Sequence, residues 1–113
     1  MNSKPNNFAE SGYVNPLERT AAIDTHVGKR VKQRRITLGM SEEGLARVLN
    51  TTGQQVMKYE GGDNRISCGR LYELSRALNV PILWFFIGAP GVDLSLDLND
   101  VTLADLLRSL DEG

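Results

Sequence analysis

The stretch Ser41 to Glu60, SEEGLARVLNTTGQQVMKYE, decides how this chain folds. It reads as two short helices joined by a tight turn, with amide side chains gathered on the second. Leu45, Val48 and Leu49 recur at helical spacing as one apolar face, and Val56 and Tyr59 supply the facing side of the next helix. Ala46 lies between these faces, where a small side chain lets two helices cross closely. Ser41 and Thr52 stand where a hydroxyl caps a helix start. Asn50 occupies the turn, and Asn tolerates positive φ better than other residues that carry a Cβ.

Working outward, Asp24 is expected to cap a first helix with Val27, Val31 and Leu38 on one side and Gly39 at its left-handed end. After Glu60 the polar connection GGDNRI leads to Ser67, the cap of a fourth helix carrying Leu71, Leu74 and Leu78, which Asn79 ends. Pro81 suits the first turn of a fifth helix. Its residues Ile82, Leu83, Trp84, Phe85, Phe86 and Ile87 are too apolar to face water on all sides, so this helix closes the core. Residues 1–22 have scattered apolar positions, two prolines and no period, the pattern of a disordered or loosely attached segment. Residues 23–88 form the domain, and residues 89–113 are an acidic tail with an amphipathic helix at about 101–110. There Thr102 and Asp105 are spaced as a capping box, and Val101, Leu103, Leu106, Leu107 and Leu110 make a stripe. A helix that short is marginal alone, so the stripe needs either this core or a second chain.

Composition narrows the function classes. A chain of 113 residues builds one small core plus tails. No apolar run approaches the roughly 20 residues of a membrane span, and the N-terminus has no signal-peptide core, which makes the cytoplasm the expected compartment. Cys68 and His26 are each the sole residue of their type, so neither a disulfide, a metal site nor a cofactor is expected. Beside a helix start, Cys68 reads as a small packing residue. The net charge of −1 conceals a polarity: residues 26–87 carry ten cations against five anions, while residues 88–113 carry one cation against six anions. Taken separately, these are a solvated helix face and a solubilising tail. Their coincidence with two helices and a turn favours an anionic partner, since that layout is a helix-turn-helix, which sets its second helix into the major groove of DNA.

The pieces DTHVGKRVKQRR, LGMS, LARVLNTTGQQVMKYEGGDNRIS and RLYELSRALNVPILWFFIG, in that order over residues 24–88, resemble the Cro and lambda-repressor type of helix-turn-helix, the xenobiotic-response-element family of bacterial regulators. The combination of HVG, QQV, KYE and NRIS looks most like a branch of small single-domain regulators common in alphaproteobacteria. The resemblance implies an all-α, five-helix, lambda-repressor-like domain acting as a homodimeric, sequence-specific transcriptional regulator, nucleoid-associated when bound. It puts the recognition helix at about 52–60 in the major groove of double-stranded DNA. On that mapping Gln54 and Lys58 are the main base readers: a glutamine amide pairs bidentately with adenine and a lysine donates to guanine. Gln55 reads a base or a phosphate, Ser41 and Thr52 meet phosphate at helix starts, and Asn64 and Arg65 meet the backbone. Arg35 and Glu60 are assigned to a structural ion pair. Trp84 and Phe85, with Leu103, Leu106, Leu107 and Leu110, are assigned to dimerisation.

Departures from the family pattern fall on the DNA-facing side. Glu42 stands where glutamine is usual, so an acceptor-only carboxylate is expected to face phosphate and weaken binding. Gly53 lacks the side chain that usually opens the recognition helix, Gly44 lowers helix propensity, and Gly61 replaces a common basic residue. The chain offers no phosphate loop and no paired acids in a catalytic pattern, and an enzyme is not expected. The competing reading is a protein-interaction module, an antitoxin or a coregulator touching RNA polymerase or another regulator through the Trp84–Ile87 surface and the acidic tail.

Overall fold

The computed structural model describes residues 16–95 and Arg108. Among the described residues every regular element is helical: α1 (Pro16–Thr37), α2 (Glu42–Leu49), α3 (Gly53–Gly61), α4 (Cys68–Leu78) and a 3-10 helix (Ile82–Phe86). Residues 1–15, and the stripe Val101, Leu103, Leu106, Leu107 and Leu110, lie outside that range.

Local chemistry fixes most of the ends. The hydroxyls of Ser41, Thr52 and Ser67 accept from the backbone N–H of Gly44, Gln55 and Arg70, each three residues on. Asn50 and Asn79 close α2 and α4 in the left-handed conformation at φ 57°, where Asn is several-fold enriched over other residues bearing a Cβ.

Four expectations are corrected. Helix α1 begins at Pro16 and not after Asp24: proline is pre-set for a first turn, and the good helix formers of LERTAA carry the helix forward. Asp24 therefore sits within the helix. Leu38 lies beyond its end and is exposed, because α1 stops at Thr37. Val48 is 61% exposed while Leu45 and Leu49 are buried. The Leu45–Leu49 pair, with Ala46, defines the inward stripe, and Val48 falls to its side, along a shallow groove with Tyr72 and Ala77. The expected fifth α-helix is a 3-10 turn, with Trp84 N–H donating to Pro81 O at 3.0 Å. Between Pro81 and Gly88 there is too little chain to repay the cost of nucleating an α-helix.

Val27 and Val31 of α1, Leu45 and Leu49 of α2, Val56 of α3, Leu74 and Leu78 of α4, and Phe85 of the 3-10 helix meet in one core. Phe85, expected at a dimer contact, is fully buried within it. A buried side chain of this class stabilises by about 1.5–3 kcal/mol, and a dimer could not reach it without opening the domain.

Candidate nucleic-acid interface

Helix α3 has two sides. Val56, Tyr59 and Glu60 point inward and are buried, whereas Gln54, Met57 and Lys58 point outward and are exposed. Gln54 and Lys58 are four residues apart, so they share one strip of the helix surface. Among the described residues neither has a side-chain partner, which leaves an amide and an ammonium unspent. Gln55 is half-buried, and its Oε1 accepts from Asn64 Nδ2 at 3.5 Å, the long limit of a hydrogen bond. Ser41 and Thr52 are exposed at the starts of α2 and α3. Their oxygens are used as caps, at 2.9 and 3.1 Å, but each O–H proton is still available to an outside acceptor.

The inner side of α3 is fixed by a brace. Arg35 Nε donates to Glu60 Oε2 at 2.6 Å and Nη2 to Oε1 at 3.0 Å, a two-pronged pair with both residues buried. Hydrogen bonding to Glu60 raises the Arg35 pKa above arginine's ordinary value. The remaining prong, Nη1, donates to Met40 O at 2.8 Å, tying the α1–α2 connection to the same guanidinium. Glu42 leans toward this cation as well, its Oε2 lying 3.9 Å from Arg35 Nη2. This revises the expectation for Glu42, whose charge is partly answered from within.

Gly28 is a residue that sequence reasoning left without a role. A Cβ there would collide with Tyr59 O and press on Glu60 O, so α1 and α3 cross at backbone contact. The only signal was a glycine inside an otherwise good helical pattern, which is a reason to look for close packing. Arg70 was also missed. Its Nη1 donates to Leu49 O at 2.7 Å and to Glu73 Oε1 at 2.8 Å, and its Nε donates to Tyr59 Oη at 3.3 Å, which clamps the turn between α2 and α3.

The basic middle of the chain thus divides. Arg34 Nε donates to Leu78 O at 2.8 Å. Arg30 donates to Trp84 O through Nε and Nη2 at 3.2 and 2.8 Å, and its guanidinium lies 3.6 Å from the Trp84 ring centroid. Burial lowers the Arg30 pKa. With Arg35 and Arg70, these arginines hold helices together. Arg65 is exposed but pairs with Asp24 at 3.5 Å, so it is not simply aimed outward. Lys29, Lys32, Arg47 and Lys58 have no ion-pair partner among the described residues and remain available to an anion.

Gly53 is buried although it opens the outward-facing helix. What covers it is Glu43: the space a Cβ would take at Gly53 is filled by the Glu43 carboxylate. The anion nearest the start of α3 is therefore Glu43 and not Glu42. Cys68, expected to pack inside, is exposed at the start of α4. His26 Nε2 lies 2.8 Å from Ile87 O. Among the described residues no cluster of His, Cys, Asp and Glu is arranged to hold a metal, and no helix is long and apolar enough to cross a membrane.

Two helices at a tight turn, the second braced inside and carrying uncommitted polar groups outside, define a helix-turn-helix protein. A family model described as Helix-turn-helix matches residues 31–85. The chain is 52% identical over 69 residues to an uncharacterized HTH-type transcriptional regulator of Sinorhizobium medicae, covering 61% of this chain and 50% of the relative. It is 53% identical over 64 residues to an uncharacterized transcriptional regulator in the ATPase CF(0) region of Rhodospirillum rubrum, covering 57% and 59%. A Rickettsia conorii HTH-type transcriptional regulator is 44% identical over 66 residues, covering 58% and 53%. The chain thus spans little more than half the length of these relatives.

Proposed function

We propose that this protein is a sequence-specific, double-stranded-DNA-binding transcriptional regulator that works as a homodimer and sets α3 into the major groove. The observation that carries this reading is the pairing of two properties in one helix: an inner side pinned by Arg35, Glu60 and the Gly28 crossing, and an outer strip where Gln54 and Lys58 have no side-chain partner among the described residues. A rigid helix with unspent donors and acceptors is what direct readout in the major groove needs. The names of the relatives as HTH-type transcriptional regulators point the same way.

In this mechanism Gln54 and Lys58 read base edges, Gln55 supports them, and Ser41 and Thr52 donate hydroxyl protons to phosphate, which positions the helix without specifying sequence. Asn64 and Arg65 follow α3 and meet the adjoining backbone, Arg65 exchanging Asp24 for a phosphate. Two protomers place their α3 helices in successive major grooves of a roughly palindromic site about one turn apart. The dimer forms through the half-buried Trp84 and the 101–110 segment, and the exposed Ile36 and Ile82 near Trp84 add apolar surface there. Neither a cofactor nor a metal takes part.

The test is selection from fragmented genomic DNA followed by binding measured across a salt series. A bound fraction enriched in a few fragments that share a palindromic half-site is the expected result. Uniform weak binding to every fragment, vanishing with salt, would remove sequence-specific recognition.

A further inference from the structure

Resting on the DNA-binding reading, we infer that Glu43 is a specificity-determining residue: its carboxylate, seated on Gly53 between Ser41 and Gln54 in the chain order of the interface, lowers affinity for arbitrary DNA more than for the operator.

Three observations support it. Gly53 is buried, and the three atoms nearest to where its Cβ would stand all belong to the Glu43 carboxylate. The glycine is in ordinary helical conformation, since no positive φ is recorded there, so backbone strain does not require it. What distinguishes glycine at this position is the room it leaves for the Glu43 carboxylate. Finally, Glu43 has no ion-pair partner among the described residues, in contrast to Glu42 and Glu60, which lie beside Arg35. An unneutralised anion therefore sits in the same surface as Gln54, Thr52 and Ser41.

The two modes of DNA binding meet that anion differently. Non-specific complexes rest almost wholly on phosphate contacts, and a carboxylate in that surface opposes the phosphates that approach it. In the operator complex α3 enters the groove, where exocyclic amines of cytosine and adenine point outward and a carboxylate can accept from them. The repulsion is then offset only where the sequence offers such an amine. Glu43 raises the ratio of specific to non-specific affinity without adding overall strength.

The experiment compares wild type, Glu43→Gln and Gly53→Ala for binding to the most enriched genomic fragment and to a random duplex of equal length, across salt. Glu43→Gln keeps the size of the side chain over Gly53 and removes its charge. Gly53→Ala keeps the charge but forces the flexible end of Glu43 away, a movement that leaves the backbone in place. For both variants affinity for the random duplex is expected to rise several-fold and affinity for the selected fragment to change less, so the ratio falls. For Glu43→Gln the salt slope on random DNA should steepen by about 0.9, which is roughly a threefold greater loss of affinity between 50 and 200 mM salt. Thermal melts of each variant confirm that the comparison is between folded proteins. If both DNAs gain equally, or neither changes, the inference fails while the DNA-binding reading stands. If wild type and variants bind no DNA at any salt, both fall together.

Discussion

The two sides of α3 obey opposite rules. On the inner side Tyr59 and Glu60 are buried, and the one charge among them is answered by a two-pronged arginine. On the outer side Gln54, Met57 and Lys58 are exposed, and the polar pair has no side-chain partner among the described residues. A polar group is costly to bury unless its hydrogen bonds are satisfied, so the inner side is closed. The outer side is left open, at no cost while water covers it. The same division runs through the cations: Arg30, Arg34, Arg35 and Arg70 hold helices together, whereas Lys29, Lys32 and Lys58 have no ion-pair partner among the described residues. A residue's type alone does not assign it to binding. Its neighbours do.

The division can be broken from the inside first. Arg35→Met removes one partner and strands the Glu60 carboxylate in the interior, which should cost about 3–5 kcal/mol in chemical denaturation. Adding Glu60→Leu should recover much of that loss, because an apolar pair of similar volume can replace a buried ion pair at little or no penalty. A double variant as unstable as the single one would mean that the pair stabilises in its own right. Gly28→Ala comes next. Its methyl would meet backbone rather than a movable side chain, and overpacking of this kind costs about 1–3 kcal/mol, to be read as a lower denaturation midpoint. Thr52→Ala removes the cap of α3 and should cost about 1 kcal/mol, with a further loss of DNA affinity from the missing hydroxyl. At the outer end of the series, Gln54→Ala and Lys58→Ala should each leave stability within about 0.5 kcal/mol of wild type.

What the sequence made legible was chiefly local. The caps Ser41, Thr52 and Ser67 and the left-handed asparagines could be recognised because each acts on residues within three or four of itself. The inward faces of α2, α3 and α4 followed from helical spacing, except at Val48, where a position beside the stripe was read as part of it. Helix α1 was read too short because Asp24 looked like a cap, while Pro16 and the run after it carried the true start. The 3-10 turn was read as an α-helix because a short, wholly apolar segment has no period to distinguish them. The clamps were not legible at all: Arg30 reaches Trp84 across 54 residues and Arg70 reaches Leu49 across 21. For the candidate site, the outer strip of α3 was visible as a pattern of amides, but which neighbour each carboxylate at the start of α2 meets was not. Glu42 and Glu43 are neighbours in sequence, and only the fold shows that the first leans toward Arg35 while the second covers Gly53.

If the outer strip of α3 serves binding and contributes almost nothing to the fold, affinity and stability separate there. The direct measurement is a paired one on the Gln54→Ala, Lys58→Ala double variant: a thermal melt, and affinity for the selected fragment and random DNA across salt. An unchanged melt is expected, together with a loss of about 30-fold or more for the selected fragment, from about 1–3 kcal/mol for each of two base contacts, and a much smaller loss on random DNA. Wild-type discrimination between the two DNAs in a normally folded double variant would contradict it.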